Sequence, residues 1–409
     1  MIEQHNLAAA HRSSDWLRPA VALTAIGWGA NQFAPLIVLY QQGGISATAS
    51  ELMFGLYAVG LVPALLIGGR WSDRVGRRPV IAVAVVLSVA ASTVLMSGSA
   101  AHNLLFLGRF LAGLSSGLAF GTGAAWIREL SAAGSDRHAG ARRATVAMTI
   151  GFGVGPLVAG ILAQWSSQPA VWAYVPHLAL CAVALVALAG AAGSPPAEPT
   201  PEVAHLATPT RPPGSRSVAR HLMVVSVPFA PWVFATAAIA LAYLPALVAA
   251  DAGGDPLLFA GIATAIPAFA GVAAQPLLRR WGARHPAALV VPSMVAVTAE
   301  LGVAAWAAYV LTIPAVLVAA VVLGVAYGLT QFTGLAHVQH IADPTQLGSA
   351  TSRYQALSYL GFALPYVLTA AHTRMGWSPS ASLTTVGALA LAATVWVALA
   401  VREEPRRGA

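Results

Sequence analysis

The strongest constraint on this chain is a succession of apolar stretches of about 20 residues, each enough to cross a bilayer core about 30 Å thick as a helix. Over 409 residues they fall at 18–40, 49–68, 79–99, 103–127, 144–164, 170–190, 222–249, 257–278, 287–309, 313–337, 349–371 and 379–401. Lipid offers no hydrogen-bond partners, so spans of this kind are helices, and Pro and Gly within them mark kinks and close contacts. The least distinct separations are the third from the fourth and the ninth from the tenth. Composition leaves no soluble alternative: 57% of the residues are hydrophobic and 9% charged, against about 25% charged in a soluble domain. The fold class is an all-α membrane protein with twelve transmembrane helices.

The cationic side chains test that count. All 22 are Arg, with no Lys. Arg70, Arg74, Arg77 and Arg78 follow the second span, and Arg137, Arg142 and Arg143 follow the fourth. Arg211, Arg216 and Arg220 follow the sixth, Arg279, Arg280 and Arg284 the eighth, and Arg402, Arg406 and Arg407 the last. The odd-numbered loops hold Arg374 with Asp251 and Asp255. By the positive-inside rule the even loops and both termini are expected in the cytoplasm, as in a multi-pass protein of the cell membrane. Met1–Trp16 is polar and lacks the apolar core of a signal peptide, so the first stretch is expected to be a retained span. The net charge of +8 is scattered over loops rather than gathered on one soluble face, and no nucleic-acid partner is expected. Cys181 is the single cysteine, which excludes an intramolecular disulfide and a cysteine-based metal site.

Residues 193–220 are rich in Pro, Thr and Ser and read as a cytoplasmic linker between an N-terminal half, 1–192, and a C-terminal half, 221–409. The halves echo each other. Arg143 precedes the Gly151–Pro156 run by eight positions, and Arg353 precedes the Gly361–Pro365 run by the same eight. Such repeats are how many secondary transporters are built, with substrate held at the midplane between them.

Between the second and third spans the chain reads Gly69-Arg70-Trp71-Ser72-Asp73-Arg74-Val75-Gly76-Arg77-Arg78. One aspartate amid arginines, with Gly69 and Gly76 allowing tight turns, is suited to charge-assisted bonds at helix ends. This segment resembles the loop signature of the major facilitator superfamily (MFS) of transporters. The resemblance spans the whole chain and implies the MFS fold of two pseudo-symmetric six-helix halves, a functional monomer, and a latch formed by Gly69, Asp73, Arg74, Gly76, Arg77 and Arg78 that holds the halves in the outward-facing state and releases them as the cycle turns. Arg279-Arg280-Trp281-Gly282-Ala283-Arg284 resembles a worn copy, with Arg279 where Asp73 stands.

Two further segments resemble superfamily signatures. In the fourth span Arg109 precedes Ala112, Gly113, Ser115, Ser116 and Gly117. An arginine inside a span is a functional-site candidate by default, and the resemblance ties it to proton transfer, although Ala112 replaces the usual glutamine. Arg109 stays charged and can only tune a neighbour. In the fifth span Gly151, Gly155, Pro156 and Gly160 resemble the signature of the antiporter branches, and their physical content is close helix packing with a bend.

Trp28, Asn31 and Gln32 share a face of the first span, Tyr327 and Gln331 one of the tenth, and Trp232 and Tyr243 lie in the seventh. The resemblance makes these spans the lining of the central cavity. Aromatic and neutral polar groups suit a moderately hydrophobic, uncharged or weakly charged small molecule. Proton carriers are few. Glu300 lies well inside the ninth span and is the second proton-coupling candidate beside Arg109, although the resemblance puts that helix on the periphery. Glu51, at the outer end of the second span, reads as an interfacial anchor, and Glu129 likewise at the inner end of the fourth. Without Lys there is no phosphate-binding loop for ATP, no metal motif is present, and no cofactor or enzymatic activity is expected.

The function expected is secondary active transport: proton-coupled export of a small organic molecule or drug by alternating access. The alternative is an uptake symporter or facilitator for a sugar or other small metabolite, and a remoter one is a membrane sensor that does not transport. Partners are the small-molecule substrate, protons and the lipid bilayer.

Overall fold

The structure, a computed structural model, describes residues 14–99, 101–132, 139–191, 222–282, 286–341 and 347–402. The linker expected over 193–220, and Arg137, Arg211, Arg216, Arg220, Arg284, Arg406 and Arg407, lie outside the described residues.

Among the described residues, eleven helices are long and apolar enough to cross a membrane. They are α1 (Leu17–Gln42), α2 (Ala47–Val75), α3 (Arg77–Met96), α4 (Asn103–Ser131), α5 (Ala139–Trp165), α6 (Pro169–Ala189), α7 (Met223–Ala252), α8 (Pro256–Gly282), α9 (Val290–Val310), α10 (Ile313–Ile341) and α12 (Pro379–Arg402). The remaining one, α11, covers 347–375. It begins with a polar stretch around Arg353 and is divided by a 3₁₀ turn at Tyr359–Ala363, just before Pro365, so it is less uniformly apolar than the rest. With α11 counted, the described residues form an all-α fold of about twelve membrane-spanning helices.

Several boundaries differ from expectation for physical reasons. The arginine motif is not a loop. α2 continues through it to Val75, and a single residue, Gly76 at φ 89°, separates α2 from α3. Arg and Asp are compatible with a helix outside the bilayer, and a 29-residue helix is about 43 Å long, well beyond a core of about 30 Å. The similar segment after the eighth span is also helical, to Gly282. The third and fourth spans are parted by a 3₁₀ turn, Ser97–Ser99. The ninth and tenth are parted by Leu311, at φ 51° the one non-glycine residue with positive φ among the described residues.

The two halves pack alike. α1 lies on α5 as α7 lies on α11, α2 on α4 as α8 on α10, and α3 meets α6 as α9 meets α12. Between the halves, α2 meets α11 and α5 meets α8, a pair of contacts related by the same correspondence. Outward, large apolar side chains such as Val59, Ile67, Val86, Val186 and Leu389 are exposed in a belt that a bilayer would cover. Trp165, Trp172, Trp306, Tyr309 and Trp377 are exposed at the ends of spans opposite the arginine motif, as aromatic interface anchors are.

Prolines inside spans leave carbonyls without their helical donor, and neighbouring helices supply one. Pro245 removes the partner of the Leu241 carbonyl, next to a π-helical turn at Ile239–Tyr243, and Thr264 Oγ1 of α8 donates to it at 3.0 Å. Pro156 does the same to the Phe152 carbonyl, with consequences below.

Candidate functional site at the seam between the halves

Arg109 is fully enclosed, at 1% exposure. Its surroundings follow from glycines one and two turns on. A Cβ at Gly113 would strike the Tyr57 carbonyl, and one at Gly117 the Leu61 carbonyl, so α4 and α2 lie backbone to backbone. That approach brings the α2 carbonyls within reach. Arg109 donates from Nε to Met53 O at 3.3 Å, from Nη2 to Phe54 O at 3.3 Å, and from Nη1 to Ala30 O of α1 at 3.1 Å. Its guanidinium lies 4.7 Å from the ring centroids of both Phe33 and Tyr57. Carbonyl dipoles and aromatic faces stabilise the charge where, among the described residues, no carboxylate pairs with it.

An aromatic cluster joins the halves beside this arginine. Phe362 of α11 lies 5.3 Å from Phe54 and 5.8 Å from Tyr57 of α2. It also lies 5.3 Å from Phe234 of α7, which stacks on Tyr359 at 4.2 Å and approaches Tyr327 of α10 at 5.6 Å. Of these, Tyr327 is a residue expected in the cavity. Phe54, Tyr57, Phe234, Tyr359 and Phe362 were not singled out. The available signal was their position midway along the second, seventh and eleventh spans.

The expected cavity residues do not form one group. Trp28 packs on Gly155, where a Cβ would sit 2.9 Å from Trp28 Cα. Asn31 donates from Nδ2 to Phe152 O at 3.3 Å, the carbonyl that Pro156 leaves free. The polar residue of α1 and the proline of α5 are thus halves of one arrangement. Gln32 is wholly buried within the N-terminal half and donates to Ser92 Oγ at 2.9 Å, in a network continuing to His177 Nδ1 at 2.9 Å. Trp232 is half-buried on α7, and Tyr243 is buried on the same helix. Gln331 donates to Gln355 of α11 at 3.4 Å. Among the described residues, no hydrogen bond or ring contact joins the α1 members to those on α7 and α10.

The α5 glycines serve two different neighbours. Gly151 and Gly155 admit α1, whereas a Cβ on Gly160 would lie 2.6 Å from Leu257 O and 2.9 Å from Gly261 Cα, both on α8. One turn further, Gln164 accepts from Leu257 N at 2.9 Å and donates to Gly254 O at 2.6 Å. On the other seam Thr48 and Thr373 share a hydroxyl hydrogen bond at 3.2 Å, and Gly55 abuts the Phe362 carbonyl. The Gly160, Gln164, Thr48 and Gly55 contacts, which join the halves, lie in the half of the bundle away from the arginine motif.

At the motif itself, Arg77 pairs with Asp73 one turn back and with Glu129 at the end of α4 at 3.1 Å, and it donates to Ser72 Oγ at 2.8 Å. Arg78 donates to the Ala189 carbonyl of α6 at 2.7 Å. Arg74 is exposed. Gly76 makes the turn, but Gly69 lies mid-helix with open space where a Cβ would be, so the tight turn expected of it is absent. Glu300 is 1% exposed on α9, packed against α10 and α12 within the C-terminal half, and neither carboxyl oxygen makes a hydrogen bond.

Comparison with known proteins places this architecture. The multidrug resistance protein MdtL of Klebsiella pneumoniae (strain 342) is 34% identical over 89 residues, 22% of each chain. The tetracycline resistance protein, class D, of Salmonella ordonez is 34% identical over 110 residues, 27% of each. The chain thus matches about a quarter of the length of these curated relatives. Solved structures align over nearly all of it. A mutant form of the nucleoside transporter NupG has a TM-score of 0.69 at 14% identity, covering 95% of this chain and 98% of that one. A D-xylose–proton symporter has 0.68 at 15%, covering 94% and 96%. At such identities these likenesses show the fold. A family model described as Major Facilitator Superfamily matches residues 19–365, most of the chain, and with the fold just described this protein belongs to the Major Facilitator Superfamily.

Proposed function

We propose that the chain is a secondary active transporter that carries one small, uncharged or weakly charged organic molecule between its halves by alternating access, acting as a monomer. The observation that carries this reading is the seam. The halves meet through glycine-mediated backbone contacts and side-chain hydrogen bonds at the end away from the arginine motif, with an aromatic cluster and a buried arginine midway. With the arginine-rich end and both termini in the cytoplasm, this state is closed to the outside. Asp73, Arg77 and Glu129 then form part of a latch that is remade as the halves rock. Residues 1–192 and 221–409 are the moving bodies, joined by 193–220.

Uptake by symport or facilitated passage is the first reading of direction. It is supported by whole-length likenesses to a nucleoside transporter, a peptide transporter and a D-xylose–proton symporter. The amides Asn31 and Gln32 of α1, engaged with Phe152 and Ser92, offer no acid for exchange there. Proton-coupled export of a drug-like molecule is the second. It is supported by the Gly151–Gly160 signature and by the short stretches shared with multidrug and tetracycline resistance proteins. The test is accumulation of a labelled compound panel in cells producing the protein or its Asp73→Asn variant, with and without an uncoupler. Raised accumulation establishes uptake, lowered accumulation that the uncoupler abolishes establishes export, and no change for any compound sinks the transport reading.

A further inference from the structure

The seam holds a carboxyl that none of the preceding roles uses. Glu51, expected as an interfacial anchor, is instead 1% exposed, and its Oε2 makes no hydrogen bond. Its place on α2 explains the burial. Thr48, Glu51 and Gly55 recur at spacings of three and seven, on one helical stripe. The outer two both touch α11, Thr48 through Thr373 at 3.2 Å and Gly55 against the Phe362 carbonyl, where a Cβ would stand at 3.3 Å. Glu51 is therefore turned toward the opposite half.

Across the seam α7 presents Tyr243, 2% exposed, whose hydroxyl makes no hydrogen bond, on the Ile239–Tyr243 turn that packs against α2. The other ionisable groups come from the helices packed around this place. From α4, Arg109 is held by the Met53 and Phe54 carbonyls and two rings. From α1, Tyr40 is bonded to Tyr174 at 2.8 Å. On α11, Tyr366 is half-buried one turn beyond Phe362, whereas His372 and Arg374 sit on the exposed end, as do Asp251 in the last turn of α7 and Asp255 just after it. The ionisable residues of α3 are Arg77 and Arg78, at its far end. Among the described residues no cation pairs with Glu51.

An ionised carboxylate in such a place would be an unpaired charge in an apolar interface, which is strongly unfavourable. The neutral acid carries no charge to bury there and keeps an O–H that can be donated. We propose that Glu51 is a proton-binding site set between the halves. Bound proton keeps α2 against α7 and α11, and its release parts them at the end away from the arginine motif. In that step the Glu51 O–H bond breaks, the proton passes to water entering from that end, and the carboxylate is left hydrated. This rests on the alternating-access reading and assigns the coupling proton to the seam rather than to Glu300.

The test measures the seam directly. Spin labels at Ala47→Cys and Met375→Cys, both exposed positions at that end, in a Cys181→Ser background report the α2–α11 distance in lipid nanodiscs from about pH 5 to about pH 9. The expected result is a short-distance population that gives way to a longer one as pH rises, with a one-proton slope. Glu51→Gln should stay short throughout, and Glu51→Asp should titrate again. A Tyr243→Phe variant should open at lower pH. An unchanged pH response in Glu51→Gln, or no response in the parent, would overturn the proposal. Solute flux separates this from the broader reading. A Glu51-dependent switch in a protein that moves no solute supports the proton site and sinks transport. Flux with undiminished pH dependence in Glu51→Gln sinks the proton site and leaves transport standing.

Discussion

Asn31 and Pro156 make a prediction that neither residue makes alone. Pro156 deprives the Phe152 carbonyl of its helical donor, and Asn31 supplies a replacement at 3.3 Å. Replacing Asn31 with Leu removes that donor and leaves a partly buried carbonyl unsatisfied, a loss of about 1–3 kcal/mol. The observed bond is longer than the usual ~2.9–3.0 Å, which favours the lower part of that range. Restoring the backbone donor with Pro156→Ala should make the same Asn31→Leu change nearly harmless, because the amide at 156 now serves Phe152. The double-mutant cycle is therefore expected to show a coupling of about 0.5–1.5 kcal/mol, the size of interhelical hydrogen bonds measured in membrane proteins. Reversible unfolding of the purified protein in mixed micelles, followed for wild type, both single variants and the double, reads that energy. Additivity within about 0.3 kcal/mol would refute the idea that the α1 amide exists to complete the α5 kink.

Three more expectations follow from the same contacts, and a fourth from the buried amide beside them. Gly160→Ala places a Cβ 2.6 Å from the Leu257 carbonyl and, at about 1–3 kcal/mol for overpacking, should shift the seam toward its open state by roughly 5- to 150-fold, read by spin-label distances between α5 and α8. Gly69→Ala, with nothing in the way, should leave that distance unchanged and add up to about 1 kcal/mol of helix stability. Asp73→Asn breaks an ion pair whose carboxylate side chain is 56% exposed, so stability should change by less than about 1 kcal/mol while flux in the cell assay falls. Gln32→Leu should lower stability by about 1–2 kcal/mol through loss of the Ser92 bond yet leave substrate preference intact across the compound panel; a changed preference would return Gln32 to the substrate path.

Much of the fold was legible because lipid turns a global property into a local one. A segment that spans must be long, apolar and helical, so span count and arginine placement follow from counting along the chain. The arginine motif was legible as chemistry but not as shape. Its charges suggested a loop, whereas α2 carries them as helix outside the bilayer thickness and only Gly76 breaks it. Helical periodicity put Trp28, Asn31 and Gln32 on one face, but that face is shared among α5, α3 and the bundle interior. Gln32 therefore turns to Ser92 and Asn31 to Phe152.

What the sequence by itself determined is the class of molecule: a membrane-spanning helical bundle of repeated halves, with its cations sorted to alternate loops and a transporter's motifs in place. Those properties depend on composition and spacing along one chain. Which partner each face meets was decided by tertiary structure alone. Gly151 and Gly160 differ by nine positions on one helix, yet one admits α1 and the other α8. Glu51 and Glu300 are both single acids in apolar spans, yet one lies in the seam between halves and the other inside a half. Burial of a polar group is set by the helix packed over it, and that helix comes from a distant part of the chain.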